Sequence, residues 1–115
     1  MPVEYETRYD EPGDTLTIKE KSENIQKSVS VGNMNIDFGA NNKVVGIQLL
    51  NASEVLLFPE EIETPAEFLK DIQGAELRTK YFEDGSMAVI AKVKRQQNGQ
   101  TMEGILNTQT PAVTA

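Results

Sequence analysis

The stretch Val44-Val45-Gly46-Ile47-Gln48-Leu49-Leu50-Asn51-Ala52-Ser53-Glu54 is the most apolar part of the chain, and its pattern decides where the core lies. Alternate positions from Val45 to Leu49 are apolar, which predicts a strand with one strongly apolar face. Asn51 and Ser53 follow, and their side-chain oxygens can cap the start of a helix. A strand that leads directly into a short helix places that helix over the sheet. The other elements are therefore expected to pack around this joint.

The size and charge of the chain limit what it can be. Its 115 residues predict one domain, and its 18 acidic and 11 basic residues give a formal net charge of -7. Phosphate binding needs clustered lysine and arginine, so nucleic acid is not expected as a partner. The basic group Lys92, Lys94 and Arg95 is interpreted as the solvent face of a strand end.

Cysteine and histidine are both absent from the sequence. This composition excludes disulfides, thiolate nucleophiles, Cys/His zinc sites and histidine as a general base. The N-terminal residues Met1-Pro2-Val3-Glu4-Tyr5 have neither the basic nor the apolar region of a signal peptide. No apolar run approaches the ~20 residues that span a bilayer. We therefore expect a cytoplasmic protein with no membrane partner.

Alternating apolar residues predict five strands in the first half, of which the apolar stretch is the last. The other four are expected at residues 3–9, 15–20, 25–31 and 34–38, with turn residues between them. Because the connections are short, sequential antiparallel pairing, a meander, is the expected topology. Lys27 falls on the apolar side of its strand, which indicates a position at the edge of the sheet.

The second half is predicted to contain a helix and three more strands. Thr64-Pro65-Ala66-Glu67 offers an N-cap residue, a proline at the first helical position and a glutamate three residues after the cap. We expect a helix of about ten residues that ends at Gly74 as a left-handed cap. Strands at 76–81, 87–94 and 101–107 follow, joined by turns that contain Asp-Gly and Asn-Gly. Residues 108–115 are predicted to form a frayed tail.

Two segments carry a family resemblance. The first contains Tyr9-Asp10-Glu11 and Asp14-Thr15-Leu16-Thr17-Ile18, and the second is Val45-Gly46-Ile47-Gln48-Leu49-Leu50-Asn51-Ala52-Ser53. In order and spacing, over about Tyr9 to Glu54, they resemble a prokaryotic family, domain of unknown function 2283. The chain departs from the family pattern at Thr17, where tyrosine is usual, and at Gln48, where glutamate is usual.

The resemblance implies a small antiparallel sheet that carries one helix, with no established catalytic residues. It also implies an antitoxin-like role, since some members lie beside toxin-like genes of the RNase type. For the whole chain we expect an α+β fold, a largely antiparallel sheet of about eight strands with one to two short helices packed on it. One domain is expected over residues 1–107, with a family-like part at about 1–58 and a helix plus three-strand part at about 64–107.

Asp10, Glu11 and Asp14 place three carboxylates on one tight turn, and they are the sharpest candidates for chemistry. Calcium and magnesium are bound by several oxygens that converge on one point. The competing interpretation is an ordinary turn, because no EF-hand spacing is present and turns commonly contain aspartate and glycine. No cofactor is expected apart from this calcium or magnesium hypothesis. The acidic run Glu60–Glu63 is interpreted as a solvated linker.

No activated nucleophile or paired acid and base is recognisable, and no carboxylate stands at an obviously apolar strand position. The expected function is that of a non-enzymatic binding or assembly protein, antitoxin-like by resemblance. Its partner is expected to be a protein, or a second copy, joined through a sheet edge such as the strand of Lys27. A divalent-cation-binding protein that uses the acidic turn is the second hypothesis. A hydrolase built from carboxylates is the third.

Overall fold

The structure, a computed structural model, describes residues 3–110 as eight strands, two short α-helices and one short 3-10 helix at Ala40–Asn42. The strands are β1 (Tyr5–Asp10), β2 (Thr15–Glu20), β3 (Lys27–Val31), β4 (Met34–Phe38), β5 (Val44–Leu49), β6 (Gly74–Tyr81), β7 (Met87–Gln97) and β8 (Gln100–Thr110). The helices are α1 (Ala52–Val55) and α2 (Pro65–Leu69). All strand pairs are antiparallel, so the predicted α+β fold is confirmed, with the strands divided between two sheets. Among the described residues, no helix is long and apolar enough to cross a membrane.

The first sheet is not the sequential meander that the short connections predicted. Its order is β1-β2-β5-β4-β3, so β5 lies between the two hairpins and β2 does not pair with β3. The physical reason is burial, because every residue of β5 except Gln48 is buried. A strand buried on both faces is most stable in the centre of a sheet, with neighbours on both edges. β3 lies at the outer edge, as Lys27 indicated.

The second sheet is a meander in the order β6-β7-β8. Asn98 and Gly99 both have positive φ, which matches the two-residue turn expected for an Asn-Gly hairpin. β8 continues to Thr110, three residues beyond its predicted end at Asn107. The predicted tail was therefore wrong for residues 108–110, which pair with β7, and its remaining residues, 111–115, lie outside the described residues.

One hydrophobic cluster joins the two sheets and both helices. Each sheet has a mainly apolar face and a more polar face, because β2, β4 and most of β7 alternate in burial, whereas β5 is buried on both faces. The apolar faces supply the cluster, with Ile18, Ile36 and Ile47 from the first sheet and Val89 and Val93 from the second. The family-like part of the chain and the part that follows it therefore share a single core.

α2 is half the predicted length, because it ends at Leu69 and Gly74 is already in β6. Proline is at the first helical position as predicted, but the Thr64 side chain makes no capping hydrogen bond. The helix is held by packing instead. The ring of Phe68 is 2 % exposed and lies edge-on to Phe58, with 5.2 Å between the ring centroids. Helices this short depend on such tertiary contacts, since they are not stable alone.

Candidate functional site

Asp14 joins the turn between β1 and β2 to the start of α1. Its carboxylate accepts a hydrogen bond from the Tyr9 hydroxyl at 2.6 Å and from the Ser53 hydroxyl at 2.6 Å. It also accepts the backbone N–H of Ser53, at 3.1 Å to Oδ1. Three donors thus converge on one side chain, and we call Tyr9, Asp14 and Ser53 the clamp.

The clamp caps α1 from a distant part of the chain. Asp14 lies 39 residues before Ser53, yet its carboxylate bonds the N–H of the second helical residue. Its backbone oxygen accepts the N–H of Ala52 at 2.9 Å, so the first two donors of the helix are both satisfied. The prediction that Asn51 caps the helix was wrong, because Asn51 adopts left-handed backbone angles and its side chain makes no capping bond. Ser53 donates to the cap rather than serving as one.

The clamp changes the acidity of two of its members. Burial raises the pKa of Asp14, but the hydrogen bonds from Ser53 and Tyr9 outweigh this effect and leave the pKa below its usual value of 3.8. Burial, together with the hydrogen bond to Asp14, raises the pKa of Tyr9 well above its usual value of 10.0. The folded state therefore favours a charged Asp14 and a neutral Tyr9.

These shifts predict how stability depends on pH. The Asp14 contribution is present above pH 3.8 and is lost as the pH falls through the lower, folded pKa of Asp14. The Tyr9 contribution is present below pH 10.0 and is lost as the pH rises towards the higher, folded pKa of Tyr9. Urea unfolding of the wild type should therefore show a fall in stability above pH 10.0, and Tyr9→Phe should lack the part due to this hydroxyl. An identical alkaline loss in both proteins would contradict the assignment.

The structure does not bring the three predicted metal ligands together. Asp10 is exposed, the Glu11 carboxylate pairs with Lys70, and the Asp14 carboxylate accepts the hydrogen bonds of the clamp. Within residues 3–110, no group of three or more acidic side chains is placed to hold a metal ion. The calcium or magnesium hypothesis stays a prediction, and the geometry gives each of these carboxylates a separate environment.

Sequence reasoning missed one buried carboxylate. Glu20 is 4 % exposed, although no carboxylate was expected at an apolar strand position. It lies 3.3 Å from the Lys43 ammonium, which is also 3.7 Å from Glu23. The hydrogen bond from Lys43 to Glu20 raises the pKa of Lys43, and the negative charge of Glu20 raises it further. The missed signal was parity, because Glu20 follows Leu16 and Ile18 on the inward face of β2.

Comparison of the chain with known protein families gives a match in the first of the two sheets. The family described as "Protein of unknown function (DUF2283)" matches residues 6–53. That stretch resembles DUF2283. The resemblance predicted for about Tyr9 to Glu54 is therefore confirmed, and it covers somewhat under half of the chain. Comparisons with curated proteins and with solved structures found no match.

The clamp gives a structural explanation for the part of the chain that resembles DUF2283. Its three members fall inside the matched residues, at the two ends of the pattern. They connect the β1–β2 hairpin to the segment that leaves the central strand, which fixes how the two ends of the DUF2283-like part meet. This arrangement supports the fold directly, and it engages these three polar side chains of the pattern in structural hydrogen bonds.

Proposed function

We propose that this protein is a non-enzymatic binding module that takes up a strand of a protein partner at the free edge of β3. The observation that carries the proposal is the position of β3, which pairs only with β4 among residues 3–110. Exposed strand edges offer backbone donors and acceptors that another chain can complete.

The hairpin geometry fixes which backbone groups face outward. Gly32 has φ +58 at the first position of the two-residue turn, as in a type II′ hairpin, and Val31 pairs with Met34 across it. The pair that flanks such a turn is hydrogen-bonded, and hydrogen-bonded and non-hydrogen-bonded pairs then alternate along β3. In each non-hydrogen-bonded pair, the backbone N–H and C=O of the β3 residue point away from β4. The N–H and C=O groups of Ser28 and Ser30 therefore face outward.

The side chains of the same two serines hold β3 extended. The Ser28 hydroxyl donates to Asp37 at 2.6 Å, and the Ser30 hydroxyl donates to Asn35 at 2.7 Å. Both acceptors are on β4, so these bonds cross the hairpin without using the outer edge. A strand ordered before binding loses less conformational entropy when a partner pairs with it.

Two further observations support a non-enzymatic function. Three polar residues of the DUF2283-like pattern, Tyr9, Asp14 and Ser53, are engaged in the clamp. The buried carboxylate of Glu20 shares Lys43 with Glu23. The chain contains neither histidine nor cysteine. The net charge of -7 and the resemblance favour a basic partner, and we propose an antitoxin-like role on that basis.

Replacing Ser30 with proline should abolish binding at this edge while the hairpin stays folded. Proline removes the outward N–H and adds a ring that obstructs an incoming strand, but it removes no bond of the β3–β4 ladder. We expect affinity for the partner to fall at least about tenfold, as the loss of one main-chain bond and the added steric obstruction suggest. The measurement is capture from native lysate, then calorimetric titration of the purified captured protein.

Ser30→Ala is the matched control, because it loses the hydroxyl and keeps the backbone donor. It should bind nearly as well as the wild type. Equal affinities for the proline variant and the wild type, with both folded by circular dichroism, would refute binding at β3.

A further inference from the structure

We propose that a second copy of this chain docks on the polar face of the second sheet, in a head-to-tail arrangement held by opposite charges. This surface is separate from β3, so the inference goes beyond the strand-binding function and does not depend on it. It rests on how charge and apolar area are distributed over the second half of the chain.

The polar face of the second sheet is basic in an acidic protein. The face is formed by alternate residues of β6, β7 and β8, whose register places them in rows across the sheet. Four of its charged residues are basic and two are acidic, and they are Arg78, Lys80, Lys92, Lys94, Glu76 and Glu103. Since the whole chain carries -7, this face has the opposite sign to the rest of the surface.

Three of these four cations form no salt bridge among residues 3–110, and two of the three also have no acidic residue opposite them in the register. Lys92 lies 3.9 Å from Glu76, and Lys94 is opposite Glu103 in the register. Arg78 and Lys80 are exposed and form none of the salt bridges found within residues 3–110. We call these two residues the basic pair.

Apolar side chains lie on the same face, between the basic pair on β6 and the far edge at β8. Leu57 is 73 % exposed and pairs with Ile105, which is 36 % exposed, through an isolated bridge at the β8 edge. Partners directly opposite each other in a bridge place their side chains on one face. Ile90 is partly exposed and lies in the row between Arg78 and Asn107. Protein-binding surfaces commonly combine an apolar core with a polar rim, and this face likewise has apolar side chains next to polar and charged ones.

The complementary surface is on the same chain. Glu60, Glu61 and Glu63 are exposed, and none of them forms a salt bridge in the described residues. Glu61 and Glu63 line one side of an open cleft of about 440 Å³ beside α2. We call Glu60–Glu63 the acidic segment. The acidic segment therefore presents unpaired carboxylates, whereas the basic face presents unpaired cations.

Charge decides the symmetry of the association. Two basic faces packed on each other would bring like charges together, which opposes a twofold dimer through this face. A basic face on an acidic segment is favourable and leaves one unused surface of each kind. Such an interface continues from copy to copy, as a ring if the rotation between copies closes and as an open filament if it does not.

The test uses two charge-reversal variants, each of which should fail to associate alone but should associate with the other. The face variant carries Arg78→Glu and Lys80→Glu, and the segment variant carries Glu61→Lys and Glu63→Lys. In sedimentation velocity at low salt we expect the wild type to associate as its concentration rises, and each variant to stay monomeric. An equimolar mixture should associate again with the two variants alternating, because the intact face meets the intact segment and the reversed face meets the reversed segment, each with opposite charges. High salt should dissociate both the wild type and the mixture.

The matched control is Arg8→Glu with Lys21→Glu, which changes the net charge as much as the face variant does but lies on β1 and in the turn after β2, away from the second sheet. It should associate like the wild type. The proposal is overturned if the wild type is monomeric up to about 1 mM, the range of weak contacts, or if the mixture stays monomeric. It is also overturned if the control is as defective as the face variant. Binding of a strand partner at β3 is read separately, so either result leaves the other interpretable.

Discussion

Replacing Asp14 with alanine is expected to lower the free energy of unfolding by about 3 kcal/mol at neutral pH. The substitution removes the acceptor of three hydrogen bonds, from Tyr9, from the Ser53 hydroxyl and from the Ser53 N–H. It also leaves an alanine at φ +50, a conformation that aspartate tolerates better. Loss of the cap and backbone strain therefore act in the same direction.

Equilibrium unfolding in urea measures this effect. Asp10→Ala is the matched control, because Asp10 is an exposed carboxylate at the end of β1, next to the same turn, and should change stability by about 0.5 kcal/mol or less. Asp14→Asn should fall between the two, since asparagine keeps the backbone conformation and lacks the charge. A double-mutant cycle of Asp14→Ala with Ser53→Ala should show strong coupling. Equal effects of the Asp10 and Asp14 substitutions would show that the clamp does not stabilise the fold.

Replacing Phe68 with alanine should lower the free energy of unfolding by about 4 kcal/mol. The ring is 2 % exposed, it packs edge-on against Phe58, and the guanidinium of Arg95 lies 5.7 Å from its centroid. α2 has five residues and no side-chain cap, so this ring supplies much of what holds the helix on the sheets. Its loss leaves a cavity between the helix and the second sheet.

Phe82 offers a control with the same side chain in a different setting. It is 37 % exposed and its ring lies 5.6 Å from the Lys80 ammonium, so Phe82→Ala should cost about 1 kcal/mol or less. Both variants are compared by urea unfolding and by hydrogen exchange of the α2 amides. If Phe68→Ala proves as mild as Phe82→Ala, the helix is held by other contacts.

The sequence predicted the elements well because alternation is a local property. Val45, Ile47 and Leu49 marked the central strand, and Asn98-Gly99 marked the last hairpin turn. Strand order is not local, and the insertion of β5 between β2 and β4 depends on which strand must be buried on both faces. Short connections favoured the sequential order, and the burial of β5 outweighed them.

The same distinction applies to the candidate site. Tyr9, Asp14 and Ser53 were each recognisable in the sequence, but their convergence requires a contact over 39 residues. The sequence therefore grouped Asp14 with its neighbours Asp10 and Glu11. In the fold, Asp10 is exposed and Glu11 pairs with Lys70. Glu20 could have been found by its parity with Leu16 and Ile18, because inward positions of a strand share one face whatever their chemistry.

The position of β5 has a consequence for biosynthesis. A nascent chain that has emerged only as far as Gly39 contains two complete hairpins, β1–β2 and β3–β4, with no strand to connect them. Isolated two-stranded hairpins are marginally stable in water. The sheet can close only after the ribosome has released the strand that both hairpins need, so translation order makes β5 the last piece of the first sheet to arrive.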